Sequence, residues 1–143
     1  MENDCIRIEE WPPDYAQRAY DAGFLIEAIQ VLHGWIECQA RGLLMLVGSV
    51  HFSTELADTW DAVDKMSYKD VITALLTVGQ ITKAEFEDLI KINSTRNRMI
   101  HQVFKDPYDK EHQGFPRKEF NRIFEKAMKW SEKMREMNET LIG

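Results

Sequence analysis

Arg96, Asn97 and His101 fall within one short stretch, "STRNRMIHQ" (residues 94–102), and their types and spacing suit phosphate chemistry. A guanidinium holds a phosphate through fixed paired donors, and an imidazole takes or gives a proton near neutrality. Together they could cleave RNA without a metal, the ribose 2′-hydroxyl attacking its neighbouring phosphate under general acid–base assistance. Asn97 could fix the histidine tautomer or bind a phosphate oxygen. On an ideal helix, residues 97 and 101 lie on one face about one turn apart. Residues 96 and 101 are offset by about 140°, a gap that a long arginine side chain can reach round.

Other chemistries find less footing. There is no phosphate-cradling glycine loop of the Walker type. The histidines, His33, His51, His101 and His112, are scattered without a His-x-x-x-His or Glu-x-x-His pair, so neither a metal nor a cofactor is expected. Cys5 and Cys38 have no metal-type spacing and make no disulfide framework. No Ser or Cys has a readable triad context. His33 lies in an apolar stretch, where a core or edge histidine satisfied by a hydrogen bond is expected, and His112 falls in a charged loop, where it should be solvated.

Composition and charge bound the rest. A chain of 143 residues with 44% hydrophobic and 29% charged residues is expected to form one domain with a sizeable core. No apolar run approaches the ~18 residues of a membrane span. The acidic start, "MENDCIRIEEW", lacks a signal-peptide layout, so a reduced, cytoplasmic setting is expected. The net charge of -6 is unevenly spread. Residues 1–90 carry 6 Lys/Arg against 16 Asp/Glu, whereas residues 91–135 carry 12 against 6. A basic stretch after an acidic one points to an anionic ligand or a charged partner. Within it, Lys91, Arg98 and Lys105 are the expected RNA-binding residues. The competing explanation is that these cations only solvate the outside of a helix.

The elements that must position these residues read as helices throughout. Residues 14–47 show three-to-four apolar spacing (Phe24, Ala28, Val31/Leu32, Trp35, Leu43, Leu46/Val47) and predict one long helix with Asp14 as N-cap. Gly34, Cys38 and Gly42 recur at every fourth position, which predicts close approach of another helix. Ser53 or Thr54 should cap a helix over "ELADTWDAVDKM", and Ser67 should cap "YKDVITALLTV", closed by Gly79. "TKAE" from Thr82 is a capping box that opens a helix over about 83–104, the one carrying Arg96 and His101. Residues 105–115 read as a loop, and 116–138 as a basic amphipathic helix with Phe120, Phe124 (or Ile123), Ala127 and Trp130/Met134 inward. The expectation is an all-α bundle of four to five helices, two of them long.

"RNRMIH" (residues 96–101) resembles the Arg-polar-x-x-x-His motif of HEPN domains, and the late position of the motif in an apolar helix followed by a loop and a long last helix is similar too. The resemblance covers the architecture of most of the chain and six residues at motif level. It implies a metal-independent endoribonuclease of the toxin or phage-defence type. Its catalytic residues would be Arg96 and His101, with Asn97 as the polar partner, at the cleft of a homodimer. It also implies a possible antitoxin partner such as a small nucleotidyltransferase. In one branch a tyrosine two residues beyond the histidine is modified; that position here is Val103, with Tyr108 nearby. HEPN-like domains also serve as non-catalytic protein-interaction or nucleic-acid-binding modules, the alternative expectation. A third, a ligand-binding bundle using Trp35, Trp60 and Trp130, competes with ordinary core placement of those rings.

Overall fold

In a computed structural model, residues 4–104, 108 and 114–142 are described, and every regular element among them is helical. Pro12 and Pro13 start α1 (Pro12–Asp21), where missing N–H groups cost nothing. Asp14 therefore sits in the first turn, next to the positive end of the helix, and Trp11 takes the N-cap position expected for Asp14. The single helix expected over 14–47 is broken at Gly23. Its φ of 87° lets the Phe24 N–H reach the Ala19 carbonyl (2.8 Å) and the Gly23 N–H reach that of Tyr20 (3.0 Å). This Schellman closure ends α1 and leaves Phe24 63% exposed rather than inward.

The chain restarts as α2 (Leu25–Phe52), the central helix, against which all five others pack. It ends at Ser53 in a left-handed conformation, so Ser53 closes α2 instead of capping α3 (Leu56–Asp64), whose N-cap is Glu55. Ser67 caps α4 (Tyr68–Thr77) as expected, accepting from the Asp70 N–H at 3.2 Å. Gly79, at φ 78°, closes α4 with a second Schellman pair to Leu76 and Leu75. The Thr82–Glu85 capping box forms in both directions (3.2 and 2.9 Å) and opens α5 (Lys83–Gln102), the motif helix. Helix α6 (Arg117–Ile142) runs beyond the expected limit.

The bundle thus has six helices among the described residues, where four to five were expected, because Gly23 divides the first. The core lies along α2, where Ile29, Leu32, Ile36 and Leu43 are fully buried. Each such side chain contributes about 1.5–3 kcal/mol of burial. From α5 come Leu89, Ile92 and Met99, and from α6 Phe120, Ile123, Phe124, Ala127, Trp130 and Met134. Tyr20 of α1 stacks on Phe124 at 4.7 Å. Along the Gly34–Cys38–Gly42 line, only Gly42 has a helix close by, with Asn138 Oδ1 of α6 3.6 Å from where a Cβ would stand; Gly34 does not receive the close helix that the spacing predicts. A Cβ on Gly34 would meet nothing within 4 Å, and the line floors an open cavity of about 400 Å³ beside Trp60 and Val63 of α3. Among the described residues, no helix is long and apolar enough to cross a membrane.

Candidate active site on the motif helix

Helices α2 and α5 run antiparallel, since His33 pairs with Asn93 while Gln30, one turn earlier, pairs with Arg96. The polar residues that interrupt α5 therefore do not all face solvent. Asn93 and Arg96 are half-buried against α2, Thr95 is buried, and Ser94, Asn97, Arg98 and His101 are exposed.

Arg96 is held from two directions. Its Nε donates to Gln30 Oε1 at 2.8 Å, and its Nη1 donates to Asn97 Oδ1 at 2.6 Å. Both acceptors are neutral amides, and Arg96 makes no ion pair with any described residue. Among the described residues the side chain is thus oriented without its charge being cancelled. Asn97 spends its oxygen on Arg96 rather than on His101.

Behind Arg96 lies a buried aromatic pair. His33 is 3% exposed, stacks on Tyr68 at 4.7 Å, and has Nε2 2.9 Å from Asn93 Oδ1. Burial, reinforced by the Arg96 cation, holds His33 below the ordinary imidazole range, against the opposing pull of the Asn93 bond and of Glu37. A neutral imidazole has one N–H, so facing an amide oxygen it donates from Nε2. This is the satisfied core histidine that the apolar surroundings predicted. Burial also raises the Tyr68 phenol, which stays protonated and donates to the Leu89 carbonyl at 2.9 Å.

His101 stands in the last turn of α5, exposed, with no hydrogen bond to a described residue. Within one chain Arg96 leans toward α2 and His101 points outward, so the structure joins Arg96 to Asn97 but not to His101. Around them Ile26 (46% exposed) and Phe104 (74% exposed) place apolar surface, one turn before Gln30 and three residues after His101.

The expected RNA-binding residues divide. Arg98 is ion-paired with Glu119 and lies over the Phe115 ring at 5.4 Å, which ties α5 to the start of α6. Lys91 is exposed and lines a cavity shared with α6. Lys105 and His112 lie outside the described residues. The three tryptophans do not share a site: Trp130 is buried, Trp35 packs edge-on against Trp11 at 5.2 Å, and Trp60 is 57% exposed on α3. Among the described residues no three His, Cys, Asp or Glu side chains converge as a metal site would require. Gln30 was not among the expected site residues, since it sits 66 positions from its partner. The available signal was Gln30 and His33, two polar residues three apart within a stretch of three-to-four apolar spacing.

No family model, curated protein or solved structure matches this chain. The functional reading therefore stands on these residues and on the motif that they form.

Proposed function

We propose that the protein is a metal-independent endoribonuclease of the HEPN type, acting as a two-fold dimer in which two copies of α5 face one cleft. The observation that carries this reading is the state of Arg96. It is aimed by two neutral amides, it makes no ion pair with any described residue, and it shares a helix with an exposed imidazole. A cation fixed in that way is preorganised for the charge that develops on a phosphate during transfer. His101 moves the proton, taking it from the 2′-hydroxyl or giving it to the leaving 5′-oxygen, and a second copy supplies the other group. Exposed Ile26 and Phe104 beside the motif support burial of this face against another copy.

The test is incubation of purified protein with mixed RNA in EDTA, beside the His101→Ala protein. Cleavage by wild type that leaves cyclic phosphate ends, and its loss in the variant, are the expected results. Full activity in the variant would reject the mechanism, and inert wild type across varied RNAs would favour a non-catalytic module of the same fold.

A further inference from the structure

A second cationic feature lies on the opposite flank of α5. There a cavity of about 260 Å³ opens between α5 and α6, lined by Lys91 and Thr95 from one helix and by Lys118, Glu119, Arg122 and Lys126 from the other. The lining holds four cations and one carboxylate. That carboxylate, Glu119, is already engaged by Arg98 from outside the cavity. Lys126 is matched by Asp88 at 3.0 Å, which leaves Lys91, Lys118 and Arg122 exposed and without an ion pair to any described residue. In a chain of net charge -6, this excess of positive charge is local.

Two further observations point inward at a ligand. Thr95 is only 6% exposed, lines this cavity, and its hydroxyl has no hydrogen-bond partner among the described residues. That leaves the hydroxyl available to donate to an acceptor held in the cavity. The cavity also takes in the start of α6. The Phe120 N–H makes the first helical bond, to the Pro116 carbonyl at 3.1 Å, so the N–H groups of residues 117–119 remain uncommitted within the helix. Such a terminus favours an anion through both its free donors and its dipole.

We propose that this cavity binds a backbone phosphate of single-stranded RNA, at a position removed from the bond that is cut. The choice of RNA as the polyanion rests on the endoribonuclease reading above; the anion site itself rests on the cavity. Lys91 precedes His101 by ten residues, roughly 15 Å of helical rise. A strand anchored at Lys91, Lys118 and Arg122 would then cross the exposed ridge of Ser94, Asn97 and Arg98 to reach the motif. The cavity would grip the chain without reading its bases, and so set affinity and register, as phosphate-binding groups do.

The test uses a fluorescein-labelled single-stranded RNA and the full chain carrying His101→Ala, so that binding is read without cleavage. Anisotropy titrations across a potassium chloride series give the Kd and its salt slope. Adding Lys118→Ala and Arg122→Ala should weaken binding and flatten the slope of log K against log salt by about 0.7 for each phosphate no longer neutralised. Thr95→Val, which keeps the side-chain shape, should weaken binding with little change in slope. Lys69→Ala, an exposed cation on α4, controls for charge in general. Unchanged affinity and slope in the double variant, with circular dichroism showing an intact fold, would overturn the proposal, as would a parent protein that does not bind RNA. Wild type that cleaves RNA while the double variant binds normally sinks the groove and leaves the catalytic reading standing. RNA binding that depends on the groove, without cleavage by wild type, does the reverse.

Discussion

Arg96 shows how one residue can be fixed and still keep its charge. A carboxylate partner would have oriented the guanidinium and neutralised it, whereas Gln30 and Asn97 orient it only. If His101 transfers the proton as proposed, His101→Ala should lower cleavage by about 10²–10⁴-fold, measured as single-turnover RNA cleavage with the fold checked by circular dichroism. Arg96→Lys keeps the charge but loses the paired donors, and it should be severely impaired in the same assay. Asn97→Ala leaves the Gln30 bond in place and should be milder. His33 behaves in the opposite sense to a surface histidine. Its folded-state pKa lies below the unfolded value of 6.5, so its contribution to stability is present above that value and is lost as pH falls below it. Urea midpoints measured from pH 7.5 down to 5 should decline, and His33→Gln should flatten that decline; an unchanged slope would show that His33 does not titrate as its burial by Tyr68 and Arg96 dictates. Arg96, Asn97 and His101 were legible because they are neighbours in sequence. Gln30 was not, because its role exists only once α2 and α5 are antiparallel.

At the scale of the elements, local chemistry wrote most boundaries legibly. Ser67, the Thr82–Glu85 box and Pro116 did what their types dictate at the starts of α4, α5 and α6. Three of the expectations that failed have nameable reasons. Apolar periodicity ran unbroken across Gly23, so the pattern hid a stop that only backbone conformation reveals. Ser53, a good N-cap type, was recruited to end α2 in a left-handed turn. The small residues at 34, 38 and 42 advertise helix packing, yet α3 stands off them. These glycines make a clean comparison, because neither Gly23 nor Gly34 would bring a Cβ within 4 Å of anything. Gly23→Ala meets only the left-handed φ and should lose about 1–2 kcal/mol. Gly34→Ala, inside α2 with open space beside it, should gain roughly 0.5–1 kcal/mol. Opposite shifts in urea midpoint are the expected result, and equal shifts would contradict this account of both positions.

At the scale of the whole molecule, one chain carries the parts of the proposed site without bringing them together. Arg96 is turned to α2, His101 projects outward in the last turn of α5, and exposed Ile26 and Phe104 lie nearby with no described residue covering them fully. A two-fold axis through this face would bring the same residues from both copies together and bury that apolar surface, because an isologous interface pairs a patch with itself. Sedimentation should then show a mass that rises to twice the 16.8 kDa of the chain as concentration increases. A subunit-mixing experiment is sharper. Arg96→Ala and His101→Ala homodimers should each be nearly inactive, since each lacks one kind of group on both sides of the cleft. A mixed dimer would hold one intact arginine and one intact histidine, contributed by different copies. Mixing the two proteins, with subunit exchange verified by native mass spectrometry, should therefore restore part of the RNA cleavage that neither variant has alone. If exchange occurs and no activity returns, one arginine and one histidine from different copies do not suffice: either the pair works within one copy or both histidines are needed as acid and base.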